Sequence, residues 1–164
     1  MIGKPMEHAL NAQIKEELYS SHLYLAMSTH LEGLNFRGMA KWMRMQADEE
    51  RGHALKFFDY IHERGGSVSL TAIDQPKGQW PTVLALFTAA MAHERSITAK
   101  INGLADQALA EKDHASASFL TWFVKEQVEE EATLDPIIKR LEAIGDHASG
   151  LYFLDHELGK RGGD

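Results

Sequence analysis

The chain has 164 residues, of which 44% are hydrophobic and 25% charged, and it carries a net charge of −7 and no cysteine. This length and composition are typical of a globular protein with a proper core, so residues 1–164 are expected to form a single domain. The acidic balance gives no reason to expect a nucleic-acid partner. The absence of cysteine excludes disulfides, thiolate metal sites and a thiol nucleophile.

No stretch of the sequence predicts a secretion signal or a membrane segment. The N-terminus MIGKPMEHALNAQ lacks the apolar run of a signal peptide. The longest largely apolar stretch, VLALFTAAMA at 83–92, is far too short to span a bilayer. The sequence therefore predicts a cytoplasmic protein with no membrane partner.

Sparse glycines and prolines divide the chain into four long helices and one short helix. Pro5 lies in the first turn of the first helix, Gly65-Gly66 end the second, and Gly145 ends the fourth. Asp146 is the expected N-cap of the fifth helix. The predicted helices span about 5–34, 36–64, 81–111, 114–144 and 147–159. The remaining C-terminal residues are expected to form a flexible tail.

The connections between these helices differ in length. Three are short, which is typical of antiparallel neighbours, whereas SVSLTAIDQPKGQW at 67–80 is long. One long crossover in an otherwise short-looped bundle is the ferritin-like arrangement. The sequence therefore predicts an all-α, ferritin-like four-helix bundle with one long crossover connection and a short fifth C-terminal helix. Pro136 should kink the fourth helix without ending it, because apolar residues keep helical spacing on both sides.

One glutamate interrupts the mostly apolar inner face of each long helix. Each of these residues lies near the midpoint of its predicted helix: Glu17, Glu50, Glu94 and Glu130. Midpoints share one layer of a bundle whichever way a helix runs, so the four carboxylates should meet, with His53 one turn from Glu50. Four buried carboxylates repel one another unless positive charge lies between them. Two divalent cations would balance the four negative charges.

This carboxylate layer predicts a paired metal site. Oxygen-rich ligands with a single imidazole suit iron or manganese. Glu50 and His53 form a Glu-x-x-His motif, which is weak alone because such spacing arises by chance. Three further glutamates at matched depth make the combination specific. A single glutamate of this kind would be better explained as a surface residue at a bundle edge.

The chain resembles the bacterial non-haem ferritins over essentially its whole length. The resemblance is carried by YSSHLYLAMS at 19–28, FLTWFVKEQVEEE at 119–131 and the short fifth helix. It implies an iron-storage protein with ferroxidase activity, which oxidises Fe²⁺ to Fe³⁺ with O₂ or H₂O₂. It also implies deposition of a ferric mineral inside a homo-24-mer shell, in which the fifth helix lines a symmetry axis.

The resemblance also implies which residues bind iron. The residues matching Glu17, Glu50 and His53 bind one iron ion in that family. The residues matching Glu94 and Glu130 bind the second, and Glu50 is placed to bridge the two ions. These five residues are therefore the expected catalytic metal ligands.

Two further residues of the expected catalytic centre are Gln127 and Tyr24. Gln127 lies where some relatives carry the glutamate of a second Glu-x-x-His motif, so only one histidine is available and the two metal positions should differ in affinity. Tyr24 and Trp122 match aromatic residues that can act in electron transfer in the family. The spacing of both is equally well explained by packing.

A third iron site is expected from an acidic cluster beside the paired site. Its residues are Glu49, Glu126, Glu129 and Glu130. From the sequence alone, a solvated acidic face explains this cluster better than a metal site does. The resemblance favours the metal site, because the family carries a third iron at matching positions between the di-iron centre and the cavity.

Several related proteins fit the sequence less well. Haem is not expected, because bacterioferritins bind it through a methionine directly after the Glu of Glu-x-x-His, where this chain has Arg51. Rubrerythrin-type peroxidases add a Cys-rich iron domain, and mini-ferritins lack the fifth helix. Two alternatives stay open: a di-metal peroxidase or oxidase that stores no metal, and a non-catalytic helical scaffold. The scaffold would leave the carboxylate layer unexplained.

Overall fold

A computed structural model of the protein describes residues 1–162, which form five α-helices and no β-strand. The helices are α1 Lys4–Gly33, α2 Arg37–Glu63, α3 Val83–Ala110, α4 His114–Ile144 and α5 Ala148–Leu158. The predicted all-α class and its five helices are confirmed. The last two residues of the predicted flexible tail, 163–164, lie outside the described residues. No helix within residues 1–162 is long and apolar enough to cross a membrane.

Side-chain caps and left-handed residues explain several helix ends. The Thr82 hydroxyl accepts a hydrogen bond of 3.0 Å from the Ala85 N–H at the start of α3. The Asp113 carboxylate accepts one of 3.1 Å from the Ser116 N–H at the start of α4. Beyond the end of α2, Gly65 adopts a φ of 70°, a left-handed conformation that favours glycine.

Three local expectations can be compared with this structure. α3 begins at Val83, two residues after the predicted start, because Thr82 is extended and acts as the cap. The prediction that Asp146 caps the fifth helix is wrong: His147 is the N-cap of α5 and makes no side-chain cap hydrogen bond. Pro136 lies inside α4, which continues across it.

The bundle consists of two helix pairs. α1 packs along α2, and α3 packs along α4, with a short connection inside each pair at 34–36 and 111–113. Residues 64–82 contain no helix or strand and form the predicted long crossover. α5 packs mainly against α2 and makes fewer contacts with α4.

A polar layer separates two apolar clusters inside the bundle. The first apolar cluster includes Met27, Met43, Phe87 and Leu134. The second apolar cluster includes Leu10, Phe57, Ile101 and Phe123. α1 and α4 run from the second cluster to the first, whereas α2 and α3 run the opposite way, so the crossover joins two parallel helices. The glutamate near the midpoint of each long helix therefore lies between the two clusters.

Candidate metal centre

The four glutamates at the helix midpoints all lie in the bundle interior. Their exposed fractions are 1% for Glu17, 1% for Glu50, 0% for Glu94 and 6% for Glu130. His53 is 5% exposed and lies one helical turn after Glu50. Carboxylates are rarely buried to this extent unless they are paired or bind a metal.

Glu17, Glu50 and His53 form what we call the first half-site. One ligand atom from each of the three residues lies within 4.8 Å of the other two. His53 Nδ1 is 3.3 Å from Glu50 Oε2, and Glu17 Oε1 accepts a hydrogen bond of 2.9 Å from Gln13 Nε2. The remaining oxygens, Glu17 Oε2 and Glu50 Oε1, are buried and have no hydrogen-bond partner. Since buried polar atoms are normally paired, this donor set fits a cation.

Glu94, Glu130 and Gln127 form what we call the second half-site, in which neutral donors contact the carboxylates. The Tyr24 hydroxyl donates to Glu94 Oε1 at 2.5 Å, and Gln127 Nε2 donates to Glu94 Oε2 at 3.2 Å. Gln46 Nε2 donates to Glu130 Oε2 at 2.5 Å. Both Glu94 oxygens are therefore oriented by side chains of the protein itself.

Burial raises the pKa of all four carboxyl groups in the layer. For Glu17 the charge of Glu50 adds to the effect of burial, and for Glu50 the charges of Glu94 and Glu130 do so. The pKa of Glu94 is also raised, although the hydrogen bonds that it accepts oppose the effect of burial. Burial and the charge of Glu94 raise the pKa of Glu130 from 4.5 to about 8. A cation in the layer would favour the ionised forms of these groups and displace their protons.

A second three-residue group connects the two half-sites. One ligand atom each from His53, Glu126 and Glu130 lies within 4.8 Å of the others, and His53 Nε2 is 3.8 Å from Glu126 Oε1. Within residues 1–162, Glu94 belongs to neither three-residue group. Its charge nevertheless raises the pKa values of Glu50 and Glu130, so it lies within electrostatic reach of both.

The residues of the expected third iron site differ in their exposure and in their contacts. Glu126 is half-buried and reaches His53, as described above. The Glu49 side chain is 48% exposed and is ion-paired with Arg161 at 2.5 Å. Glu129 is exposed, and no hydrogen bond or ion pair of the described chain involves its side chain. The Glu49 charge adds to the effects of burial and of Glu94 in raising the pKa of Glu130, which belongs to both the cluster and the layer, so Glu49 and Glu126 both lie near the layer.

Three polar residues to which the sequence analysis gave no role contact the site: Gln13, Gln46 and Arg161. Gln13 precedes Glu17 by one helical turn, and Gln46 precedes Glu50 by the same spacing, so helical periodicity could have indicated both. Arg161 follows α5 and carries no periodic signal. Trp122, expected near the centre, is 39% exposed and packs edge-on against His53 with ring centroids 5.4 Å apart.

The sequence and fold of the chain are similar to those of known proteins. Residues 7–144 match the family described as a ferritin-like domain, which covers most of the chain. The chain belongs to the ferritin family. The predicted resemblance to bacterial non-haem ferritins is confirmed by relatives of that name, described next.

Two curated relatives and one solved structure illustrate how closely the chain follows other ferritins. A bacterial non-heme ferritin of Bacteroides fragilis is 44% identical over 161 residues, covering 98% of this chain and 100% of the relative. One from Staphylococcus saprophyticus is 40% identical over 164 residues, covering 100% and 98%. An open pore ferritin from Archaeoglobus fulgidus has a TM-score of 0.97 and 43% identity, with 98% and 99% coverage. The ferritin-like bundle is therefore confirmed.

Proposed function

We propose that this ferritin-family chain stores iron and acts as a ferroxidase at the carboxylate layer. Family membership supports iron storage and oxidation of Fe²⁺. The observation that carries the location is the pair of buried, unpartnered oxygens, Glu17 Oε2 and Glu50 Oε1, beside the His53 imidazole. Such a group of oxygens with one imidazole matches the ligand preference of Fe²⁺.

We assign one Fe²⁺ ion to each half-site. Glu17, Glu50 and His53 bind the first ion in this proposal, and Glu94 and Glu130 bind the second. Glu50 bridges the two ions. This role is supported by electrostatics, because the charges of Glu94 and Glu130 both raise the pKa of the Glu50 carboxyl. A bridging carboxylate also allows one side chain to respond to the oxidation state of both ions.

The proposed reaction requires two electrons from each pair of ions. Each Fe²⁺ loses one electron on becoming Fe³⁺, so a pair reduces O₂ to H₂O₂ with two protons, or reduces H₂O₂ to two water molecules with two protons. O₂ and H₂O₂ both remain candidate oxidants. The carboxyl groups contribute by binding and orienting the two ions and by releasing protons as the ions bind.

Neighbouring polar groups orient the ligands of the second half-site. Tyr24 and Gln127 each donate a hydrogen bond to Glu94, which fixes both oxygens of that carboxylate. We further propose that iron leaving the layer passes to a third position formed by Glu49, Glu126 and Glu129. The contact between Glu126 and His53 supports this route, because it places one member of the cluster beside the layer.

The storage function also requires assembly. Ferritin membership implies a cage of several copies, and we propose a homo-24-mer of single-domain subunits that works in the cytoplasm. We propose no haem, since Arg51 follows the Glu that would precede a haem-binding methionine. The ferric mineral would then lie inside the cage.

Aerobic loading followed by sizing tests this proposal. Purified protein receives a large excess of Fe²⁺ in air, and its size and iron content are then measured. Storage predicts a large particle that retains far more than two iron ions per chain. A di-metal peroxidase or oxidase would retain about two ions per chain, and a scaffold none, so either result refutes the proposed storage function.

A further inference from the structure

Arg161 follows α5, and close contacts between α5 and the start of α2 hold it beside α2. A Cβ added to Gly38 would lie 1.8 Å from the Asp155 carbonyl oxygen, so only glycine permits this approach. The Met39 N–H donates to Asp155 Oδ1 at 2.8 Å, and Lys41 Nζ donates to the Gly159 carbonyl at 2.9 Å. These contacts fix the end of α5 on the first turns of α2.

The Arg161 guanidinium contacts three side chains of α2. It donates to Gln46 Oε1 at 2.8 Å and to Glu49 Oε2 at 2.5 Å, and it lies 4.7 Å from the ring centroid of Trp42. Gln46 in turn donates its amide N–H to Glu130 Oε2 in the carboxylate layer. A continuous set of hydrogen bonds therefore connects the C-terminal segment with a proposed iron ligand.

The Glu49 carboxylate is therefore already paired with a positive charge, the Arg161 guanidinium. The guanidinium keeps its positive charge at every physiological pH and presents several donors in a fixed plane. A metal ion that bound Glu49 would have to displace Arg161 or lie close to a like charge. Both alternatives weaken cation binding at Glu49.

We propose that Arg161 is a positioning residue that competes with iron for Glu49 and so restrains the passage of iron out of the layer. This inference rests on the proposed function, because it concerns the third position through which iron leaves. Arg161 reaches the layer only indirectly, through the hydrogen bond from Gln46 to Glu130, so its effect on the first two ions should be much smaller than its effect at Glu49.

The size of the effect follows from exposure. The Glu49 side chain is 48% exposed and that of Arg161 is 25% exposed, so solvent screens their attraction. Ion pairs with this degree of exposure change binding by about two- to fivefold. The effect should shrink at high salt.

Anaerobic calorimetric titration of the full-length assembled protein with Fe²⁺ tests the inference. Arg161→Ala should tighten the equivalents beyond the first two by about two- to fivefold and leave the first two nearly unchanged. Arg161→Lys should bind like the parent, because it retains the charge near Glu49. The neighbouring Lys160→Ala, which removes an exposed charge outside these contacts, should also bind like the parent. If Arg161→Ala does not assemble, Arg161→Gln removes the charge while it keeps a hydrogen-bond donor.

A double variant separates this role from a structural one. In a Glu49→Gln background, Arg161→Ala should produce no further change, because the competition has already been removed. Three results would each overturn the inference. Arg161→Ala could bind the ions beyond the first two no more tightly than the parent does, or its effect could persist in the Glu49→Gln background. The parent protein could also bind no Fe²⁺ beyond two ions per chain. A parent that lacks two tight equivalents would instead refute the proposed function.

Discussion

Both half-sites are built from buried carboxylates, but they differ in whether the carboxylate oxygens have hydrogen-bond partners. In the first, one oxygen of Glu17 and one of Glu50 are buried without a partner. In the second, Tyr24 and Gln127 donate to both oxygens of Glu94. A cation in the first half-site would therefore give the two buried, unpaired oxygens a partner. In the second half-site a cation must share the Glu94 oxygens with the hydrogen bonds that they already accept. This difference, together with the single imidazole of His53, predicts that of the two proposed Fe²⁺ ions the one at the first half-site would be held more tightly.

The largest expected effect comes from the residue that serves both half-sites. Glu50→Ala should slow the oxidation of the first two Fe²⁺ ions per chain by about 100-fold, because both ions lose a ligand. Stopped-flow absorbance after mixing with O₂ measures this rate. Glu142→Ala, which removes one exposed carboxylate elsewhere on α4, is the matched control. Similar losses in both variants would mean that the layer is not the oxidation site.

The next effect tests the ranking of the two half-sites directly. His53→Ala should weaken the tightest Fe²⁺ equivalent by about 100-fold, because it removes a ligand of the first half-site. Gln127→Ala should weaken the other equivalent by about tenfold, because Glu94 loses a hydrogen bond that orients its carboxylate, and this loss outweighs the oxygen lone pair that the change frees. Anaerobic titration of each variant beside the parent gives both affinities. The comparison fails if His53→Ala acts mainly on the weaker equivalent.

A third prediction concerns the protein without metal. Because the pKa of Glu130 is raised to about 8 in the folded chain, its contribution to apo stability is fully present below pH 4.5 and is lost as pH rises through 8. Glu130→Gln removes this loss, so it should stabilise the apo protein by up to about 4 kcal/mol at pH 8 and by less than about 1 kcal/mol at pH 5. Thermal melting at several pH values measures the difference.

The same experiment with Glu17→Gln sharpens the comparison. A glutamine here can still accept from Gln13 and can donate its amide N–H to the neighbouring Glu50 carboxylate at every pH, whereas Glu17 can donate to Glu50 only while it is protonated. Its gain in apo stability should therefore exceed that of Glu130→Gln. With Fe²⁺ bound under argon, both variants should melt below the parent, because each has lost a proposed iron ligand. Stabilisation by a ligand follows its affinity for the folded state. Apo variants that melt well below the parent would show that the carboxylates are held by favourable contacts rather than opposed by repulsion.

The smallest effect on initial oxidation is expected outside the two half-sites. Glu49→Ala combined with Glu126→Ala should change the rate for the first two ions by less than about threefold, since neither residue is an assigned ligand of those ions. The transfer of iron to the mineral should slow instead. Absorbance over repeated Fe²⁺ additions follows both stages. A collapse of the first stage would place Glu126 in the oxidation centre.

Helical periodicity predicted the layer well because the bundle is regular. Glu17, Glu50, Glu94 and Glu130 each interrupt an apolar face at mid-helix, and regular helices in a bundle bring such positions together. The short loops and the long crossover likewise predicted the helix pairing. These features depend on local spacing, which a sequence displays directly.

The hydrogen-bond partners within the layer were harder to predict. Whether Glu94 is paired while Glu17 retains a free oxygen depends on distances of a few tenths of an ångström between different helices. Arg161 reaches Glu49 only because Gly38 lets α5 approach α2 closely, a tertiary contact with no periodic signature. The choice of His147 over Asp146 as the cap of α5 depends on the backbone path after Gly145 in the same way.

The division of the interior into two apolar clusters has a consequence for cooperativity. Each cluster is a separate packed unit, and in the apo protein the layer between them is held by hydrogen bonds and by protons on its carboxyl groups. Local unfolding follows such units. The two ends of the bundle are therefore expected to open semi-independently in the apo state, with amide hydrogens near Leu10 and Leu134 exchanging with different opening energies. Ions that link all four helices at mid-height would couple the two ends, so that loading with iron turns two partly independent units into one.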